Sequence, residues 1–231
     1  FGSINLFFRN VNRTPSFIFD NRSAFNLGNN NNFNKENITS FGATINNPFI
    51  SIGFKNHLVT NYTFFSNYYK TAQYSKLINI IQVFASKKFR ISKRWNYYAD
   101  LVFQQTDGAA PIKLPLLFTR NRLAFEGRFY KNLNISTGLE ARYYTGYKAN
   151  NYSPVMGQFM PQDSVTIKNL PDVAAFVHFR IKGFTAYIRA ENLNTVSFAN
   201  GFGFINNNFA APHYPTQGFI FRLGIQWWFV N

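Results

Sequence analysis

Between residues 219 and 229 every second side chain is apolar. Phe219, Phe221, Leu223, Ile225, Trp227 and Phe229 share one phase, and Arg222, Gly224 and Gln226 lie on the other. Successive side chains of a strand point to opposite faces, so this stretch predicts a strand with one wholly apolar face and one that meets water. The same period recurs upstream. Trp95, Tyr97, Ala99, Leu101 and Phe103 alternate with Asn96, Tyr98, Asp100, Val102 and Gln104, and Leu123, Phe125, Gly127 and Phe129 with Arg122, Glu126 and Arg128. Ile135, Thr137, Leu139, Ala141 and Tyr143 alternate with Asn134, Ser136, Gly138, Glu140 and Arg142. Val173, Ala175, Val177 and Phe179 alternate with Ala174, Phe176, His178 and Arg180, and Phe184, Ala186, Ile188 and Ala190 with Thr185, Tyr187, Arg189 and Glu191. Weaker versions lie near 3–9, 38–47, 49–60 and 76–88. Helical periodicity is nearly absent. About ten strands are predicted, each roughly the length a tilted membrane strand needs.

The connections alternate in length. Asn46-Asn47-Pro48, Tyr130 to Leu133, Ile181-Lys182-Gly183 and the slightly longer Phe89 to Arg94 are short. Between them lie long polar segments at about 10–37, 61–75, 106–116, 145–171 and 192–218. Outer-membrane barrels have short periplasmic turns and longer extracellular loops, and an even strand count returns both chain ends to the periplasmic side. The predicted fold is all-β: a transmembrane antiparallel up-and-down β-barrel, with residues 1–231 forming one barrel domain. Phe1 enters a strand-like pattern at once, with no export signal before it. That start predicts that this stretch belongs to a larger barrel with further N-terminal strands.

Composition sharpens the choice of surroundings. Aromatic residues make up 19% of the chain, with 29 Phe, yet the mean hydropathy is -0.20. No run of about 18 apolar residues occurs, so a transmembrane helix is excluded; alternation of lipid-facing and water-facing residues produces this combination instead. A soluble β-sandwich also packs one face of each strand inward. It would use Val, Leu and Ile there, with Lys, Glu and Thr outside, whereas here the apolar phase is Phe, Trp and Tyr. Trp95, Phe129, Phe184 and Trp227 cluster at the short-turn ends, as a membrane-interface girdle would. The net charge of +15 is scattered along the strands rather than gathered in a patch, which argues against a nucleic-acid partner. Anionic lipid headgroups, lipopolysaccharide or anionic solutes account for it better.

The last third of the chain resembles the putative porin family of Bacteroidota outer membranes. The residues that carry the likeness are Tyr152-Ser153-Pro154-Val155-Met156-Gly157-Gln158-Phe159, Asn169-Leu170-Pro171-Asp172-Val173 and Ala186-Tyr187-Ile188-Arg189-Ala190-Glu191-Asn192-Leu193-Asn194, followed by Ala211-Pro212-His213-Tyr214-Pro215 leading into Phe219 to Phe229. The match is best over about 140–231. The resemblance implies a barrel and a channel role, and supplies no catalytic residues. Family members are considerably longer, which again implies missing N-terminal strands.

One strand phase carries the candidate chemistry: Arg9, Lys55, Arg120, Arg122, Arg128, Arg142, Arg180, Arg189 and Arg222, with Asp100, Glu126, Glu140 and Glu191. This phase is expected to line the lumen. Arginine and lysine rings favour anions, and the alternative is a ladder of ion pairs that fills the wall, since buried charges must be paired. Phe103, Phe125, Val177, Phe221, Leu223 and Trp227 are expected to face lipid. Cysteine is absent, and His57, His178 and His213 show no metal-ligand spacing. No metal, no cofactor and no catalytic role are expected. Asp163-Ser164-Val165 matches a short O-glycosylation acceptor motif, with Ser164 as the acceptor, and Asn29 to Asn32 reads as a solvated loop. The expected function is an outer-membrane channel for small, preferentially anionic solutes in a Gram-negative bacterium. The alternatives are an accessory barrel bound to other outer-membrane proteins of a secretion or uptake complex, and the terminal strands of a TonB-dependent receptor.

Overall fold

The computed structural model describes residues 2–19, 32–68, 70–197, 203–204 and 208–229. Asn29 to Asn31 of the predicted polar loop lie outside the described residues. Ten long strands follow one another: β1 (Ser3–Arg13), β2 (Glu36–Asn46), β3 (Ser51–Thr60), β4 (Ile78–Arg90), β5 (Trp95–Thr106), β6 (Leu117–Phe129), β7 (Leu133–Tyr144), β8 (Asp172–Ile181), β9 (Phe184–Glu191) and β10 (Ile220–Trp227). Each pairs antiparallel with the next, so order across the sheet equals order along the chain. Tight turns dictate this meander, because two antiparallel strands can be joined by a few residues and parallel ones cannot. In the β2–β3 turn the Asn47 side-chain oxygen accepts from the Phe49 and Ile50 N–H groups, each at 2.8 Å. In the β6–β7 turn Tyr130 and Lys131 both take positive φ, 43° and 44°, which gives the twist a tight hairpin needs. The only helices among the described residues are single 3-10 turns, Phe17–Phe19 and Leu193–Thr195.

The register keeps the two phases apart across the whole sheet. Leu6, Ala43, Phe54, Val83, Phe103 and Leu117 are successive cross-strand partners from β1 to β6. Leu123, Leu139, Ala175, Ala190 and Phe221 continue the apolar phase from β6 to β10. No described residue covers this face: Leu6 is 78% exposed, Phe8 72%, Leu223 61% and Ile225 64%. A sandwich would bury these side chains against a second sheet, so its signature is absent. An uncovered apolar band this wide marks a surface built for lipid or another protein. Some of its polar members satisfy one another: the Tyr97 hydroxyl donates to Asn121 at 2.6 Å, and Asn121 donates to Thr119 at 3.0 Å.

Aromatic rings meet along the short-turn end of the apolar face. Phe89 contacts Tyr97, Trp95 lies edge-on to Phe125 at 5.5 Å, and Phe125 contacts Phe129. Farther along, Phe179 contacts Phe184, Phe184 meets Trp227, and Trp227 stacks on Phe229 at 4.9 Å. On the opposite face, aromatic rings lie over cross-strand glycines. Gly53 is the partner of Phe84 and Gly224 of Tyr187, and a Cβ at either would stand 2.2 or 2.1 Å from the ring. Gly138 is tighter still: a Cβ there would meet the Leu123 carbonyl oxygen at 1.9 Å, so the β6 and β7 backbones approach closely.

Two features depart from the alternation. β1 runs on to Arg13, past the predicted end near residue 9. Asn10 and Asn12 break the apolar phase, but Asn10 donates to Thr39 at 2.7 Å and Arg13 pairs with Glu36 at 2.8 Å, so polar cross-strand contacts carry the ladder outward. The long connections also hold short hairpins, Tyr62–Phe65 with Thr71–Tyr74 and Asn151–Ser153 with Gln158–Met160, strands too brief to show a period. The β6–β7 approach predicts that Gly138→Ala destabilises the folded protein by about 1–3 kcal/mol, the usual penalty for overpacking. Urea unfolding of vesicle-embedded protein checks this, and an unchanged midpoint would show that the close approach is not there.

Candidate functional site

The charged face is built by register. Every residue predicted for it, Arg9, Lys55, Asp100, Arg120, Arg122, Glu126, Arg128, Glu140, Arg142, Arg180, Arg189, Glu191 and Arg222, falls on the face opposite Phe103, Phe125, Val177, Phe221, Leu223 and Trp227. At its centre Glu140 of β7 is 2% exposed. One carboxylate oxygen accepts from Arg120 of β6 at 2.6 Å, and the other from Arg189 of β9 at 2.7 Å. Arg189 reaches across β8 because Ala174, the β8 partner of Glu140, leaves room. Arg189 also donates to Glu191 at 2.8 Å, and Arg222 of β10 donates to Glu191 at 2.9 Å. Arg142 stands 3.7 Å from Glu140. Four arginines therefore share two glutamates, a chain of charge-assisted bonds spanning β6 to β10 with two positive charges in excess.

A second cluster gathers on Glu126 of β6. It accepts from the Tyr98 hydroxyl at 2.6 Å and Asn96 at 2.7 Å, and Lys88 of β4 stands 3.5 Å away. Two further cations sit over rings. The Arg122 guanidinium lies 4.1 Å from the Tyr98 centroid, and the Lys55 ammonium lies 5.3 Å from Phe84 and 5.9 Å from Phe7. Such placement stabilises a cation without a carboxylate. Asp100 accepts from Ser86. Arg128 and Arg9 have no ion pair or hydrogen bond among the described residues, and Arg180 donates only to the Lys182 carbonyl, at 3.4 Å. His57 contacts Ser40 at 2.8 Å, and His178 packs between Phe176 and Tyr187. Among the described residues no group of His, Asp and Glu could hold a metal ion.

Described parts of the long connections fold over the outer end of this face instead of standing free in solvent. Val59 and Ile78, in the charged phase of β3 and β4, are buried with Ala110 of the β5–β6 connection; Ile38, Ile80, Tyr62, Tyr74 and Ile112 pack around them. Apolar side chains at the outer end of a water-facing phase are the signal for this inward folding. Connections from separate parts of the rim also touch. Asn151 and Ser153, between β7 and β8, donate to the Tyr68 hydroxyl and carbonyl between β3 and β4, each at 3.2 Å. Asn208, 2% exposed, ties the β9–β10 connection to the Leu170 backbone and to Asp172. Asp163 accepts from Lys113 and lies near Lys148; the Lys113 hydrogen bond and charge hold its carboxyl below the usual range. Ser164 beside it is exposed.

A meander of ten strands, uncovered and apolar on one face and charged on the other, is the wall of a transmembrane β-barrel. The chain belongs to the Putative porin family, whose model matches residues 2–231. No curated protein matches the sequence significantly. Among solved structures it is similar to the copper transporter OprC, at 13% identity and a TM-score of 0.64, over 98% of this chain and 37% of that one. It is also similar to the FrpB iron transporter from Neisseria meningitidis (F3-3 variant), at 11% identity and a TM-score of 0.52, over 84% of this chain and 31% of that one. The chain thus spans about a third of the length of either transporter, and the likeness concerns the fold.

The network around Glu140 predicts the effect of removing its charge. Glu140→Gln leaves Arg120 and Arg189 without their shared counter-ion. The loss expected is about 3 kcal/mol, the low end for a buried pair because Arg120 and Arg142 keep contact with water. Urea unfolding gives the value: the midpoint should fall with the slope unchanged. An unshifted midpoint would mean that the network does not hold the wall.

Proposed function

We propose that this chain forms part of the wall of an outer-membrane channel for small solutes, with a preference for anions. Its apolar face meets lipid and its charged face lines the aqueous passage. The short turns lie at the periplasm, and the long connections form the extracellular cap. Family membership supports the channel role, and the uncovered apolar face supports the lipid assignment. β1 and β10 each pair on one side only among the described residues. A sheet edge in hydrocarbon leaves backbone groups unsatisfied at several kcal/mol each, so these strands belong to a larger closed barrel.

One observation carries the anion preference: the positive charge of the lumen face is not cancelled. Four arginines share Glu140 and Glu191, and Arg128 and Arg180 have no carboxylate at all. An excess of one sign in a low-dielectric passage concentrates counter-ions. The accessory-barrel reading draws on the same geometry, because the Glu140 network could serve only to hold the wall of a subunit within a larger complex of outer-membrane proteins. Lipids and lipopolysaccharide contact the outer face on either reading, and Ser164, exposed in the extracellular cap, is available as an O-glycan acceptor.

Planar bilayer recordings of the full-length protein in a salt gradient separate the two. The channel reading expects a reversal potential displaced toward the anion side. Raising the salt to 1 M should weaken it, since the Debye length falls to about 3 Å. A silent or cation-preferring protein ends the anion-channel reading. Lipid exposure is checked separately. Leu223→Arg should destabilise the vesicle-embedded protein by about 2–4 kcal/mol if the side chain sits at mid-bilayer, and unchanged stability would place that face out of lipid.

A further inference from the structure

Two groups of arginines on this wall differ in their partners. Arg120, Arg142, Arg189 and Arg222 stand within 3.7 Å of a glutamate. Nearer the short turns, Arg128 of β6 and Arg180 of β8 are both cross-strand partners of Asn134 on β7, so they flank it at one height. Strands lie about 4.8 Å apart, which sets the two arginine backbones roughly 10 Å from each other. Long flexible stems let two guanidinium groups converge over that gap. The Arg128 side chain makes no hydrogen bond or ion pair among the described residues, and neither does the Asn134 carboxamide. Arg180 spends only its Nε, on the Lys182 carbonyl at 3.4 Å, which leaves its terminal nitrogens unused. No carboxylate occupies this row, which continues through Thr185 and Gln226. Glu126, one step toward the lumen centre, is already committed to Tyr98, Asn96 and Lys88.

The space between these groups is an open depression of about 390 Å³, lined by Arg128, Asn134 and Arg180 with Ser136, His178 and Thr185, and bordered by Glu126, whose carboxylate is taken up by Tyr98, Asn96 and Lys88. Two guanidinium forks, a carboxamide and two hydroxyls present donors to a single volume, and neither guanidinium is paired with Glu126, which binds Lys88 instead. Two like charges facing one volume, with the neighbouring carboxylate engaged elsewhere, favour an anion from outside. The planar guanidinium fork matches the paired oxygens of phosphate and carboxylate better than a spherical halide.

We propose that this row is an oxyanion-binding subsite at the periplasmic end of the passage, selective for small solutes bearing phosphate or carboxylate groups. It rests on the reading above that the charged face lines the lumen, and it adds a place and a ligand class. A solute that passes the cap would meet the paired arginines first, where Glu140 and Glu191 blunt the attraction. It would meet the unpaired ones last. The site therefore acts as a capture point on the side where the solute is delivered.

Calorimetric titration of the folded full-length protein tests this, with inorganic phosphate as the probe at fixed ionic strength in an uncharged maltoside micelle. Saturable binding is expected. Arg128→Gln and Arg180→Gln should each weaken it about tenfold, the scale of one charge-assisted hydrogen bond set. Arg128→Lys, which keeps the charge and loses the fork, should fall between. Lys131→Gln, in the adjacent turn, removes the same net charge and should leave the affinity alone. Circular dichroism confirms that each variant retains its sheet. Absence of binding, equal loss in Lys131→Gln, or no loss in the arginine variants would each overturn the subsite. So would phosphate affinity that collapses in vesicles containing phosphatidylglycerol but survives in phosphatidylcholine, because the arginines would then serve lipid headgroups. Binding needs no open pore. A silent bilayer recording with intact phosphate binding removes the channel and keeps the subsite; anion conductance with unaffected arginine variants does the reverse.

Discussion

In the hydrocarbon of a bilayer an unpaired backbone N–H or C=O costs several kcal/mol, and no water is at hand to satisfy it. A chain that crosses with strands must therefore hydrogen-bond each strand to a neighbour on both sides. The continuous antiparallel ladder from β1 to β10 meets that demand for its interior strands. Because side chains alternate, a paired strand has two faces that can be assigned different solvents. Everything else in the structure follows from that division. The apolar phase stays uncovered from Leu6 to Trp227, and the charged phase collects nearly all the strand arginines and glutamates. A one-residue slip in any pairing would exchange the two faces, so the register is set as firmly by Arg222 and Glu140 on one side as by Leu223 and Leu139 on the other.

The charged face solves a second problem, how to keep many arginines in a confined space. Some are neutralised in chains, as Arg120, Arg189 and Arg222 are by Glu140 and Glu191. Others rest on aromatic faces, as Arg122 does on Tyr98. Glycines opposite rings, such as Gly53 beneath Phe84, let the wall bring its aromatic side chains flat against the backbone. Arg128 and Arg180, which have no carboxylate, sit toward the short turns. The wall thus joins a chain of ion pairs in its middle to two arginines without a carboxylate near that end.

The strand wall was legible in the sequence because its signal is periodic and redundant. Ten strands, their phases and the alternation of short and long connections all follow from residues such as Phe221, Leu223 and Ile225 read against Arg222 and Gly224. Three things were not legible. The link from Arg189 to Glu140 depends on register and on the small size of Ala174, neither of which a single strand reveals. The folding of the long connections over the charged face depends on contacts between distant segments, such as Tyr68 with Ser153. Their polarity suggested solvated loops, although Ile38, Val59 and Ile78, apolar in the water-facing phase, carried a hint of the cover. The extension of β1 to Arg13 was missed because Asn10 and Arg13 pair by polar contacts, which periodicity of apolar residues does not register.

Because the chain contains no cysteine, its faces can be read out one position at a time. Single substitutions to cysteine along β10, from Phe221 to Trp227, in protein reconstituted into sealed vesicles, should react with a water-soluble, membrane-impermeant thiol reagent with a period of two. Arg222→Cys and Gln226→Cys should label rapidly, and Phe221→Cys, Leu223→Cys and Ile225→Cys should stay protected until detergent is added; Gly224, which lies beneath the Tyr187 ring, is left unchanged. Uniform labelling of all positions, or the inverse pattern, would contradict the division of this wall between lipid and lumen.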